Sequence, residues 1–147
     1  MPHITLNWTA EGLELSVLVG LSGKETARLL TAGLPIPRPL TLPGIIDTGS
    51  NITCVSVQAL GRLGTPWLGS SVTQTPAGPH QVDLYEASLS IPLPGGAPTP
   101  FLFVLDQLVV MELQHTGSVV EVLLGRDVLA HLLCFLHGPR GEFTLTD

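Results

Sequence analysis

Short apolar runs at period two alternate with clusters of proline, glycine and small polar residues along this chain, the pattern of strands punctuated by turns. Ile4-Thr5-Leu6-Asn7-Trp8 predicts a first strand, Thr9-Ala10-Glu11-Gly12 a turn, and Leu13-Glu14-Leu15-Ser16-Val17 a return strand. A long connection from Gly20 to Thr41 carries one helical turn at Glu25 to Leu30. Pro35, Pro37 and Pro39 then keep the backbone extended and unpaired. Gly44-Ile45-Ile46 predicts a strand running into Asp47-Thr48-Gly49-Ser50, with a second apolar strand at Ile52 to Val55. Ser56 to Leu63 reads as a short helix closed by Gly64. Two β arms, Ser71 to Leu84, flank Thr75-Pro76-Ala77-Gly78-Pro79. Strands follow at Tyr85 to Ile91, Phe101 to Val110 and Val119 to Leu124. Arg126 to Leu133 predicts a helix with Val128, Leu129 and Leu132 on one face. Phe135-Leu136, a turn at His137 to Gly141, and Phe143-Thr144-Leu145 close the chain as a hairpin. The expected architecture is all-β, one domain over residues 1–147.

At 147 residues the chain buries about two-thirds of its unfolded surface without help from a metal or disulfide. Charged residues make up only 12% of it, roughly half the usual share. So little charge leaves apolar surface uncovered and points to a partner interface. The net charge is −6, and the 6 Lys and Arg form no run, which argues against nucleic-acid binding through phosphate contacts. No leader pattern opens the sequence, and no apolar run approaches the roughly 18 residues of a membrane span. With only Cys54 and Cys134 as thiols, a secreted disulfide framework is excluded. Buried free thiols in a reducing, cytoplasmic setting are expected. His131, Cys134 and His137 lie at metal-like spacing but lack a fourth ligand, and helix-to-strand geometry points them apart, so no metal or other cofactor is expected. Trp8 and Trp67 read as packing residues and Tyr85 as a structural one. No Gly-x-Ser-x-Gly elbow supports a serine hydrolase, and Gly95-Gly96 is a plain loop.

Asp47-Thr48-Gly49-Ser50 carries the chemistry. It sets an ionisable carboxylate at a sharp turn walled by Ile45, Ile46 and Ile52, where a lone charge is costly. All four residues also suit an ordinary β-turn, and such a tetrapeptide arises by chance in roughly 1 of 100 chains this long. Its context separates the two readings. The pattern apolar-apolar-Asp-Thr-Gly-Ser resembles the active-site loop of the aspartic peptidases. Leu123-Leu124-Gly125-Arg126-Asp127 resembles the start of the helix of retropepsins, and Cys134 stands nine residues after Gly125, as a cysteine does in some retroviral peptidases. Between them, Gln74 to His80 is similar to the flap that closes over substrate.

The resemblance implies a retropepsin-like acid protease barrel with one short C-terminal helix, acting on an extended polypeptide. One Asp-Thr-Gly motif supplies half of a catalytic pair, so a homodimer is implied, its twofold axis bringing together Asp47 from each copy. The two carboxylates then share a proton, as in the general template for aspartic proteases. In that scheme Thr48 reaches across the axis, Gly49 allows the tight turn and Ser50 donates a hydrogen bond to Asp47. Thr75, Pro76, Ala77 and Gly78 form the flap over substrate. Asn51, Gly125, Arg126 and Asp127 are implied to be supporting residues. Viral members carry an acidic partner for the arginine where Asn51 stands, so at most a hydrogen bond remains to Arg126, and Asp127 is left to pair with Arg126 or to cap the helix. The longer spacing between motifs implies added loops at Pro92 to Pro100 and Glu112 to Gly117. Two rivals stand beside an active peptidase: a catalytically idle peptide-binding or dimerisation module of the same fold, and an unrelated small β-barrel.

Overall fold

The computed structural model describes residues 1–96, 98–114 and 119–147. Ten strands and three helices follow in the order β1 (His3–Asn7), β2 (Glu14–Gly20), α1 (Gly23–Thr31), β3 (Leu40–Ile46), β4 (Cys54–Ser56), α2 (Val57–Leu63), β5 (Trp67–Thr75), β6 (Gly78–Leu93), β7 (Phe101–Leu113), β8 (Val122–Leu124), α3 (Arg126–Leu129), β9 (Leu133–His137) and β10 (Glu142–Thr146), with a 3-10 turn at Gly138–Arg140. The larger sheet runs β2-β3-β8-β4-β7-β6-β5, and a further β2–β6 pairing closes its first six strands into a barrel. The barrel has no free edge among those six, which removes the usual template for unwanted strand pairing.

Alternation in the sequence fixes which side of each strand enters the core. Leu15, Val17 and Val19 of β2 and Leu89, Ile91 and Leu93 of β6 are buried, with more polar neighbours between them. Phe143 and Leu145 of β10 are fully buried and join the same hydrophobic cluster. The predicted helix after Val55 forms as α2. Ser56 caps it by accepting the Ala59 N–H, Gly64 ends it in the left-handed conformation, and Ala59, Leu60 and Leu63 face the core. At the start of α1, the Ser22 hydroxyl accepts the Glu25 N–H and donates to buried Glu86 at 2.5 Å. Gln107 donates to the other Glu86 oxygen at 2.9 Å. These two hydrogen bonds hold the Glu86 carboxyl below its ordinary value of 4.5 against the opposing effect of burial.

Several expected elements differ. The first strand does not pair with the return strand: β1 pairs antiparallel with β10, which pairs with β9, in a separate three-stranded sheet. The turn at Thr9–Gly12 does form, as a single bridge, and delivers the chain from one sheet to the other. The helical turn at Glu25 to Leu30 extends to Gly23–Thr31. The C-terminal helix stops at Leu129 because Leu133 to His137 pair with β10. The strand expected from Ile52 begins at Cys54, and that expected from Val119 at Val122. The two added loops are shortened by β6, which continues to Leu93, and by β7, which continues to Leu113. Residues 115–117 of the expected Glu112–Gly117 loop, and residue 97 of the other, lie outside the described residues. Trp67 is 61% exposed rather than packed, and Cys134 is exposed while Cys54 is buried. No helix among the described residues is long and apolar enough to cross a membrane.

Candidate active site

β3 ends at Ile46, and the next residue, half-buried Asp47, opens a tight turn. Its backbone N–H donates to the Leu124 carbonyl at 2.9 Å, so the loop hangs from the end of β8. The Gly49 N–H donates to Asp47 Oδ1 at 3.0 Å, and the Ser50 N–H donates to the Asp47 carbonyl at 3.2 Å. A Cβ at Gly49 would stand 3.2 Å from Asp47 Oδ1. A side chain at this position would therefore press on the carboxylate, while the φ of Gly49 is not in the left-handed range. The Ser50 hydroxyl does not donate to Asp47. It turns to the Ile52 carbonyl at 2.6 Å, leaving the backbone N–H of Gly49 as the donor that orients the carboxylate. Thr48 and Asn51 are exposed.

A second set of bonds ties this loop to Gly125–Asp127. Asp127 Oδ2 accepts the Thr53 N–H at 2.9 Å, and Oδ1 accepts the Thr53 hydroxyl at 2.7 Å and the Val128 N–H at 2.9 Å. Thr53 Oγ1 in turn accepts the Gly125 N–H at 3.0 Å. Asp127 therefore serves the helix start and the Asp47 loop together, and its partner is Thr53, not Arg126. The Arg126 guanidinium donates to Asn51 Oδ1, and its backbone N–H to the Ser50 carbonyl at 2.9 Å. Gly125 is fixed by space: a Cβ there would meet the Ile52 carbonyl carbon at 2.7 Å and Asp127 Oδ1 at 2.9 Å. The structure thus brings Asp47, Gly49, Ser50, Asn51, Gly125, Arg126 and Asp127 into one bonded unit.

Thr53 is the member that sequence reading missed. It is fully buried between Ile52 and Cys54, and a hydroxyl in an apolar run must find a partner; that was the available signal. Cys54 reports the charge of the site. Burial first, then the nearby Asp47 and Asp127 carboxylates, push its thiol up to about 11. Thr75, Pro76, Ala77 and Gly78 sit apart from this unit, at the end of the β5–β6 arm, where the Thr75 hydroxyl donates to the Gly78 carbonyl at 2.8 Å. A concavity of about 390 Å3 bordered by Leu6, Glu14, Leu15, Pro43 and Gly44 includes no residue of the 47–53 loop. His131 lies against the Phe103 ring.

No family model matches the sequence, and no curated protein matches it either. Among solved structures, that of a retropepsin-like aspartic protease from Rickettsia conorii is similar with a TM-score of 0.53. The match covers 97% of this chain and 89% of that one at 11% identity, a likeness of fold. The chain folds as a retropepsin-like acid protease barrel.

Proposed function

We propose that this chain is a homodimeric aspartic endopeptidase. The observation that carries the reading is the oriented Asp47 carboxylate, held by the Gly49 N–H at a turn suspended from Leu124 and braced by Thr53 and Asp127. A single such carboxylate cannot act as base and acid at once; a symmetry copy supplies the other. One Asp47, ionised, takes a proton from a water whose oxygen attacks the scissile carbonyl. The other, protonated, donates to the carbonyl oxygen, giving a tetrahedral diol. The C–N bond breaks as the leaving nitrogen gains a proton, and no covalent enzyme intermediate forms. Thr48, exposed beside Asp47, reaches the partner's loop, and the Thr75–Gly78 arm covers an extended substrate.

β9 favours the dimer. Leu133, Cys134, Phe135 and Leu136 form an unbroken apolar run without charge, the pattern of a strand covered on both faces. Yet β9 is the edge of its sheet, with Leu133 51%, Phe135 58% and Leu136 62% exposed. A second β9 across a twofold axis provides the missing neighbour, and the Leu133–Leu136 run meets its own copy without charge repulsion.

The test is incubation with denatured protein between about pH 4 and pH 7, where carboxylate pairs of this kind work. Cleavage blocked by a general aspartic-peptidase inhibitor and absent in Asp47→Asn is the expected result. Cleavage that survives Asp47→Asn would sink the reading. A properly folded, dimeric wild-type chain that cuts nothing would favour the idle binding module.

A further inference from the structure

The β5–β6 arm carries polar residues on both of its faces. Its register pairs Ser71 with Val82, Thr73 with His80 and Thr75 with Gly78, so these residues share one face. Ser70 with Asp83, Val72 with Gln81 and Gln74 with Pro79 form the other. Val82 is only 5% exposed, which identifies its face as the one turned toward the body of the protein, and Thr73 on that face is half-buried. A hairpin lying over its own protein normally turns apolar side chains inward and polar ones outward. Here Val72, 62% exposed, is on the outer face. Beyond Val82 the underside carries Ser71, Thr73, Thr75 and His80, of which Thr73 is half-buried and the other three are exposed. Thr75 closes the turn with Gly78, and on the outer face Ser70 donates to Asp83 at 2.7 Å. Ser71, Thr73 and His80 have no such internal bond among the described residues.

We infer that this polar underside selects the substrate, taking an extended peptide with a carboxamide or carboxylate side chain at the position beneath Thr73 and His80. The inference rests on the arm covering substrate, as in the proposed peptidase. The Thr73 hydroxyl and the imidazole N–H donate to the side-chain carbonyl oxygen that glutamine and glutamate have in common. An aliphatic side chain there excludes water from the three polar groups and gives them no partner, which is the unfavourable case for a covered site. A polar underside near the tip of the arm thus matches a polar side chain in the ligand it faces.

Binding to the Asp47→Asn chain tests this without turnover. The probes are short peptides with a central Leu-Phe pair, in which each flanking position is in turn Gln, Glu or Leu, read by calorimetry. At one position the Gln or the Glu peptide is expected to bind about tenfold tighter than the Leu peptide, the effect of one or two hydrogen bonds. Adding His80→Leu, or Thr73→Val where the first variant melts early, brings that ratio near one. The two polar probes separate a neutral from a charged acceptor, and preference for either supports the inference. Leu bound tightest at every position, a ratio that persists in both variants, or no peptide bound at all overturns it. Wild-type cleavage is scored separately. A Gln or Glu preference without cleavage leaves the inference and sinks the peptidase, whereas cleavage with a preference that ignores His80 and Thr73 does the reverse.

Discussion

Replacing Phe135 by lysine is expected to dissolve the proposed dimer while leaving the protomer folded. Phe135 is 58% exposed on β9, so of about 200 Å2 for an open phenylalanine, about 115 Å2 is in water. Covering half of that in each of two protomers, at about 25 cal/mol per Å2, stabilises the pair by about 3 kcal/mol, or about a hundredfold in Kd. Lysine forfeits this and sets two like charges near a twofold axis, so a hundredfold is the lower figure. Within the isolated protomer the ring adds little, since its cross-strand partner is half-buried Thr144 rather than a core residue. Far-UV circular dichroism and the melting temperature should therefore change little. Sedimentation velocity over a concentration series gives the Kd. Val104→Lys, at a site 50% exposed on β7, is the control for added charge on apolar surface. Phe135→Lys with a Kd within threefold of wild type, or a wild-type chain that cleaves substrate as a monomer, would refute the reasoning.

Four further outcomes follow from the same structure. Gly125→Ala drives a Cβ against the Ile52 backbone, where no flexible side chain can yield; a loss of about 1–3 kcal/mol in stability and a fall in kcat are expected, checked by denaturant melts beside steady-state rates. Asp127→Ala removes two bonds to Thr53 and one to Val128, so it should cost about 2–4 kcal/mol; a chain that stays fully active and equally stable contradicts the bracing role. The lowered Glu86 carboxyl stabilises the fold above its ordinary 4.5, and this stabilisation is lost as pH falls through the lower folded value. Glu86→Gln should accordingly show a shallower loss of melting temperature on acidification than wild type, and parallel curves would count against it. Cys54, 3% exposed with its thiol near 11, should resist alkylation in the native chain. Exposed Cys134 should react in dilute protein and become protected as concentration rises, because it lies on β9.

The elements most legible in the sequence were those set by local chemistry. Ser56 and Gly64 bound α2 because a hydroxyl cap and a left-handed glycine act within a few residues. The turn at Asp47–Ser50 and the hairpin around Thr75–Gly78 are of the same kind. Strand partners were less legible, since period two says which face is buried and not which strand lies beside it. β1 and β2 looked like a hairpin, yet Leu6 is opposite Phe143 and Leu15 opposite Gly44. Arg126 to Leu133 fits a helical face up to Leu132, but long-range pairing of Leu133–His137 with β10 overrides that local preference. In the site, the charged and glycine positions stood out, while Thr53 did not, because threonine is unremarkable in a strand and its bonds to Asp127 span 74 positions. The exchange of roles between Ser50 and Gly49 was likewise decided by turn geometry that residue identity does not encode.

Titration with a peptide analogue carrying a hydroxyl in place of the scissile carbonyl, followed to saturation by calorimetry, measures how many chains build one site. If two Asp47 carboxylates face each other across an axis, one ligand should saturate two chains, and Asp47→Asn should abolish the tight phase. Saturation at one ligand per chain, with affinity unchanged on dilution to monomer, would contradict a site assembled from two copies.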